Sequence, residues 1–220
     1  MNKLRMRFSK TGRAVYISHL DLMHTMQRAI SRAGFSLKYS EGFNPHPQIA
    51  IVLPLSVGMS SRCEIMDLRL NEEVSFGEFR DRLNAALPEG LKVLEVYESG
   101  EKLSSVKWLK VRGTFEYDAR NVEQMLPLLT GFFERESITV MKKTKRGPTE
   151  TDIRPMIREI GFSSGGKGVI LADALISAAE PTLNPDLITS ALVKICPQIA
   201  PDFACFERIE IYRSDMEVFR

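Results

Sequence analysis

The sequence predicts an α+β protein of two successive halves, each running strand-helix-strand-strand-helix-strand. Three observations predict this. Runs with an apolar residue at every second position alternate with stretches of helical spacing. The same order of elements occurs twice. A short polar stretch, residues 98–105, separates the two occurrences. A chain of 220 residues suits one large domain or two of roughly 100 residues each, and the halves read as residues 1–103 and 104–220.

In the first half, Leu4, Met6 and Phe8 alternate with Lys3, Arg5 and Arg7, which predicts a half-buried strand with a basic outer face. Residues 10–13 read as a turn, and Ala14 to Ile17 as a further extended piece. Ser18 is placed to cap a helix, with Asp21 at the capping-box position. Leu22, Met23, Met26, Ala29, Ile30 and Ala33 recur at helical spacing and face the core, while Gln27, Arg28, Ser31 and Arg32 fall on the other side. Gly34 stops the helix. Residues 35–39 read as a short strand, and an apolar run, Ile49 to Leu53, as a buried one. Residues 64–70 alternate as a third strand. Phe76, Phe79, Leu83 and Leu87 form one stripe of a second helix, and residues 91–97 close the half as a strand.

The second half repeats the order. Residues 108–117 read as a strand, 121–134 as a helix and 138–141 as a strand. A basic stretch, residues 142–148, reads as a loop, and Asp152-Ile153-Arg154-Pro155 as a return to extended chain, with Asp152 and Arg154 on one face. Residues 156–162 and 168–174 read as a hairpin about a Ser-Ser-Gly-Gly-Lys turn. A helix over 184–196 has Asn184 as its cap and Pro185 in its first turn, and residues 207–213 form the last strand. Two successive β-α-β-β-α-β units are the ferredoxin-like arrangement, repeated.

Several function classes find no support. No apolar run approaches the ~18 residues needed to span a membrane, and no apolar segment follows the charged start, so no secretory leader is expected. Cys63, Cys196 and Cys205 are an odd number without CxxC spacing, which argues against a disulfide framework or a zinc knuckle. A reducing cytoplasm is the expected location. There is no P-loop, dinucleotide fingerprint or Gly-x-Ser-x-Gly elbow. Net charge is only +2, but it is uneven. Residues 1–40 hold eight Lys and Arg against one acid, and residues 142–167 hold seven against three. Two basic portions on one face would hold a polyanion. Solvated charge with no shared face is the alternative.

The densest constellation is Tyr39-Ser40-Glu41-Gly42-Phe43-Asn44-Pro45-His46-Pro47. Gly42 suits a tight turn, and each proline drives the residue before it out of the helical region. The stretch is therefore a stiff loop that presents Phe43, Asn44 and His46 in a fixed arrangement, or else a rigid connection with a packed Phe. His19 and Asp21 open the first helix. If the loop folds over that helix end, His19, Asp21, Asn44 and His46 line one depression, and a His beside a carboxylate can exchange protons. Two histidines and Asp21 are also a conceivable metal set, although their spacing is not diagnostic. In the second half, Lys142, Lys143, Lys145 and Arg146 would neutralise phosphates while Arg154 makes a fixed bidentate contact.

Ser9-Lys10-Thr11-Gly12, Ser18-His19-Leu20-Asp21-Leu22, the Tyr39–Pro47 stretch and Pro54-Leu55-Ser56-Val57-Gly58 together resemble the radical SAM-associated family of uncharacterised proteins of the DUF2344 type. Asp152-Ile153-Arg154-Pro155 is similar to that family's later motif. The resemblance implies a protein that occurs alone or joined to a cobalamin-binding radical SAM enzyme. This chain resembles the stand-alone form, since it has no CxxxCxxC motif to hold an iron–sulfur cluster. The family implies no activity, and no cofactor or metal is expected. Tandem ferredoxin-like halves are also similar to the RNA-processing proteins of CRISPR systems, some of which cut RNA without metal using a histidine near the first helix.

The expected function is a non-catalytic RNA-binding module serving a cobalamin-binding radical SAM partner, its RNA being of tRNA or rRNA type. The candidate contacts are Arg5, Arg7, Lys10, Arg13, Arg28 and Arg32, the loop residues Tyr39, Phe43, Asn44 and His46, and Lys142, Lys143, Lys145, Arg146 and Arg154. The alternatives are a metal-independent ribonuclease using His19 and His46, and a protein-only adaptor that docks on the radical SAM enzyme.

Overall fold

A computed structural model describes residues 3–98, 100–144 and 147–220, with residues 143 and 144 as backbone only. The chain divides into two compact units, Met1–Leu103 together with Arg220, and Ser104–Phe219. Among the described residues the protein is α+β, with four α-helices and ten strands.

Unit one runs β1 (Lys3–Lys10), α1 (His19–Arg32), β2 (Ile49–Ile51), β3 (Ser60–Arg69), α2 (Phe76–Ala86) and β4 (Leu91–Glu98). Its strands lie in the order β4-β1-β3-β2, each pair antiparallel. Leu4, Met6 and Phe8 point from β1 into a core shared with Met26 and Ile30 of α1 and with Phe79 and Leu83 of α2, all of them 0% exposed. Burial of each such side chain stabilises by about 1.5–3 kcal/mol. Ser18 caps α1 as its position predicts: its oxygen accepts from Asp21 N–H at 3.2 Å, and its hydroxyl donates to Asp21 Oδ2 at 2.7 Å.

Three expectations for this unit need correction. The outer face of β1 is not uniformly basic and solvated, because Arg5 is only 2% exposed. Its guanidinium grips both Asp67 oxygens, at 2.6 and 2.9 Å, and also donates to the Arg220 and Glu101 carbonyls. Residues 14–16 are not extended: Gly12–Tyr16 forms a 3-10 turn, and only Ile17 after it is extended. The cause is Lys10, whose buried ammonium donates to the Val15 and Ile17 carbonyls at 3.1 Å each and draws the chain into a coil. Residues 35–39 make only isolated bridges, Leu37 to Leu70 and Tyr39 to Pro47. Pro47 has no N–H to extend that ladder.

Unit two runs β5 (Val106–Glu116), α3 (Val122–Phe133), β6 (Thr139–Thr144), β7 (Gly147–Asp152), β8 (Ile157–Gly166), β9 (Val169–Ser177), α4 (Asp186–Ile195) and β10 (Phe203–Arg213). Four strands lie in the order β10-β5-β9-β8, antiparallel, while β6 and β7 form a separate two-stranded sheet. Phe115 anchors the core. Its ring lies 6.0 Å from Phe206 and 6.3 Å from Phe162, which in turn meets Phe133. Gly113 sits mid-strand because a Cβ there would come within 2.8 Å of both the Phe115 and Phe206 rings.

The expected strand at 138–141 is present within β6, but β6 runs on to Thr144 where a basic loop was expected, and β7 pairs back against it. Residues Thr139, Val140, Met141 and Lys142 pair with Asp152, Thr151, Glu150 and Thr149, a β-branched pattern that the lysines masked. Lys145 and Arg146 lie outside the described residues. Nor does Asp152-Ile153-Arg154-Pro155 return to extended chain: Ile153 is helical, at φ −89° and ψ −13°, and opens a 3-10 turn over Arg154–Met156. Asp152 enforces this bend, since its Oδ1 accepts from Ile138 N–H at 2.9 Å and from Arg154 N–H at 3.0 Å, pinning the two ends of the hairpin together.

Candidate nucleic-acid interface

The Tyr39–Pro47 loop leaves unit one at a defined place. Lys38 N–H donates to the Arg69 carbonyl at 2.8 Å, and Arg69 N–H donates to the Gln48 carbonyl at 3.0 Å, so both feet of the loop stand on the end of β3. Lys3 of β1 faces Arg69 across the ladder. Within the loop, Ser40 N–H donates to the His46 carbonyl at 2.9 Å. The Ser40 hydroxyl oxygen accepts from His46 N–H at 3.1 Å and lies 2.9 Å from His46 Nδ1. With its oxygen accepting from the backbone, the hydroxyl is free to donate to Nδ1. Where the hydroxyl donates, the neutral ring carries its hydrogen on Nε2; where Nδ1–H donates to the hydroxyl instead, Nε2 is an acceptor.

These bonds hold the base of the loop and leave its tip bare. Phe43 is 109% exposed, Tyr39 is 51% exposed, and Gly42 sits at φ +124°. A fully exposed phenyl ring is not a packed loop anchor, so the connection-with-a-core-Phe alternative falls away. Asn44 is exposed beside it. At the foot, His46, Lys3, Gln48, Asp67 and Arg69 surround a shallow depression of about 270 Å³.

The expected meeting of His19 with His46 does not occur. His46 stands at the Lys3 end of β1, through the depression it shares with Lys3. His19 follows Ile17, whose carbonyl is bonded by Lys10 at the other end. An eight-residue strand separates these ends, roughly 25 Å. Two imidazoles cannot meet over that span, even through one water. His19, Asp21, Asn44 and His46 therefore line no common depression. Among the described residues no group of three or more His, Cys, Asp or Glu side chains is placed to hold a metal ion.

The remaining candidates separate by burial. Arg5 and Lys10 are 2% and 1% exposed and are withdrawn from any surface. Burial pulls the Arg5 guanidinium down, but its hydrogen bonds and charge interaction with Asp67 more than offset this and hold it above its ordinary value. Burial pulls the Lys10 ammonium below its ordinary value, and the Glu64 carboxylate only partly opposes this. Arg7 is half-buried, and Arg13, Arg28 and Arg32 are exposed. Arg13 lies on the 3-10 turn at the far end, whereas Arg32 closes α1 and donates to the Ala86 carbonyl at 2.8 Å. Lys142 donates to the Thr182 carbonyl at 3.0 Å, and Lys143 is placed by its backbone alone. Arg154 donates to the Ile157 carbonyl at 2.8 Å, so its fork is already partly engaged.

Lys3, Lys38, Gln48 and Arg69 were not among the sequence candidates. Lys3 and Arg69 are 66 positions apart, and only the β1–β3 register brings them opposite each other. The exposed sheet face of unit two offers a contrast. Lys110 and Arg112 of β5 are flanked in register by Glu210 and Glu207 of β10, and Asp173 of β9 takes Arg112 through two bonds. With Glu159 bordering the same cleft, acids outnumber cations on that face, which repels a polyanion.

Residues 3–185 match the family described as "Uncharacterized protein conserved in bacteria (DUF2344)", and the chain belongs to this family. The DUF2344 membership read from its motifs is thereby borne out, while the match carries no radical SAM association. No curated protein matches the sequence. Among solved structures, the chain is similar in fold to one from a Cbf5–Nop10–Gar1 complex, with a TM-score of 0.53 at 8% identity over 94% of this chain. It spans about half of that protein, 48%. Weaker likenesses are to an unknown protein from Galdieria sulphuraria, with a TM-score of 0.27 at 10% identity over 94% of this chain and 98% of that one, and to the CRISPR endoribonuclease Cse3 bound to a 19-nucleotide RNA, with a TM-score of 0.21 at 13% identity over 94% and 99%. No described helix is long and apolar enough to cross a membrane.

Proposed function

We propose that the protein is a non-catalytic RNA-binding accessory module, that its RNA-contacting surface is the Tyr39–Pro47 loop with the cations at its foot, and that it works beside a cobalamin-binding radical SAM enzyme. The observation that carries the RNA reading is the bare Phe43 ring on a pinned loop at the end of unit one bearing Lys3, Lys38 and Arg69. Exposed aromatics offer bases a stacking surface and lysine and arginine neutralise phosphates, which together are the recurring equipment of RNA recognition. The radical SAM partner rests on the family resemblance alone. We read each unit as a ferredoxin-like variant, in support of which the strand orders β4-β1-β3-β2 and β10-β5-β9-β8 follow one scheme. The separation of His19 from His46 disfavours the ribonuclease.

Binding of a labelled tRNA, measured by fluorescence anisotropy at several salt concentrations, tests the reading. Salt-sensitive binding that weakens when Lys3, Lys38 and Arg69 are all changed to Ala supports it. The absence of salt-sensitive binding leaves the protein-only adaptor, for which retention of the radical SAM enzyme by the loop is the defining result.

A further inference from the structure

We infer that the Tyr39–Pro47 loop receives an unpaired nucleotide, its base stacked on Phe43 and an acceptor atom met by His46 Nε2–H. The inference rests on the RNA reading above and narrows it from RNA in general to an unstacked base. A ring that is 109% exposed has both faces free for contact. In a duplex every base is already stacked on its neighbours, so only a base splayed from a loop, bulge or end can cover such a ring without a cost in unstacking. The ring is presented rather than merely loose. Ser40 bonds His46 through three contacts, the Tyr39–Pro47 bridge closes the loop, and Pro45 fixes the backbone two residues after Phe43. Because Ser40 occupies Nδ1, Nε2 is the ring nitrogen left for a ligand, and it carries the hydrogen in the tautomer whose Nδ1 accepts from Ser40. The stretch is thus a platform followed three residues later by a single oriented ring nitrogen. The cations at the foot are left for the neighbouring phosphates, which carry no sequence information.

The test compares a labelled single-stranded oligoadenylate of about twelve nucleotides with an RNA duplex of the same length, by anisotropy at one salt concentration. The single strand is expected to bind at least tenfold more tightly. Phe43→Ala should weaken the single strand by roughly five- to hundredfold, the range for losing one stacked base, and leave the duplex unchanged, while Phe43→Trp keeps single-strand affinity. Because the Phe43 ring is fully exposed, its variants should melt as the wild type does, and this control excludes misfolding. Equal binding of both RNAs, unaltered by Phe43→Ala, overturns the inference and leaves the RNA reading standing. If neither oligonucleotide binds and tRNA shows no salt-sensitive binding, both readings are overturned. Loss of a protein partner on Phe43→Ala with RNA binding intact assigns the ring to a protein pocket and overturns the inference alone.

Discussion

Tyr117 is 3% exposed, and its hydroxyl donates to the Ile199 carbonyl at 2.9 Å. Burial pushes its pKa up to about 12, with Arg120 opposing and Asp202 adding to the shift. The folded value lies above the unfolded one, near 10, so the unfolded chain loses the proton first as pH rises. The stability from this group is complete below pH 10 and is lost between about 10 and 12. Urea unfolding followed across that window should show a declining midpoint, and Tyr117→Phe should flatten the decline while costing about 1–2 kcal/mol at neutral pH. Asp152 behaves in the opposite sense. Burial pushes its carboxyl up, but the N–H groups of Ile138 and Arg154 and the Ser137 hydroxyl together carry it below its ordinary value. Its contribution is present above the unfolded carboxylate value, near 4, and is lost as pH falls through the folded one. Asp152→Ala leaves two backbone donors without their acceptor and should cost about 1–3 kcal/mol. Asp152→Asn, which keeps an acceptor oxygen, should recover part of this in the same unfolding measurement.

At the scale of elements, the loop depends on Ser40. Ser40→Ala removes the bridge to His46 but buries no new surface. It should shift the melting temperature by less than about 2 °C, in line with a half-buried site on a surface loop, yet weaken single-stranded RNA several-fold by loosening the platform. Calorimetry and anisotropy on one preparation separate the two effects. This loop was legible in the sequence because prolines and glycine act on the backbone locally, through φ and a missing N–H. The helices were legible for a similar reason: the stripe through Met26 and Ile30 and the Ser18 cap are short-range patterns. The β6–β7 hairpin was not. Its lysines dominate a stretch whose strand character comes from Thr139, Val140, Thr149 and Thr151, and pairing across a turn is a non-local property. The turn over Gly12–Tyr16 was hidden likewise, since it depends on where the Lys10 ammonium ends up.

For the whole molecule, the net charge of +2 gives little long-range attraction for RNA, so binding must come from local groups. Summing charge along the sequence overstated the N-terminal surface, because Arg5 and Lys10 are internal, and understated the loop end, where Lys3 and Arg69 converge only through the fold. The three cations at that end, Lys3, Lys38 and Arg69, should give a plot of log affinity against log salt concentration a slope of about −2 for a single strand. Changing Lys3, Lys38 and Arg69 together to Ala should bring it close to zero. The same plot for the Lys142, Lys143, Lys145 and Arg146 quadruple Ala variant should match the wild type. A flattened slope in that variant would move the phosphate contacts to unit two.

Trp108 is the molecule's single tryptophan, and it lies on β5 with the Arg158 guanidinium carbon 5.4 Å from its ring centroid. Intrinsic emission therefore watches one unit alone. As unit two's sheet opens, the indole leaves its cationic neighbour for water and its spectrum shifts, whereas the melting of unit one passes unseen at those wavelengths. Far-ultraviolet ellipticity registers both units, so any gap between the two optical curves measures how far the units unfold separately.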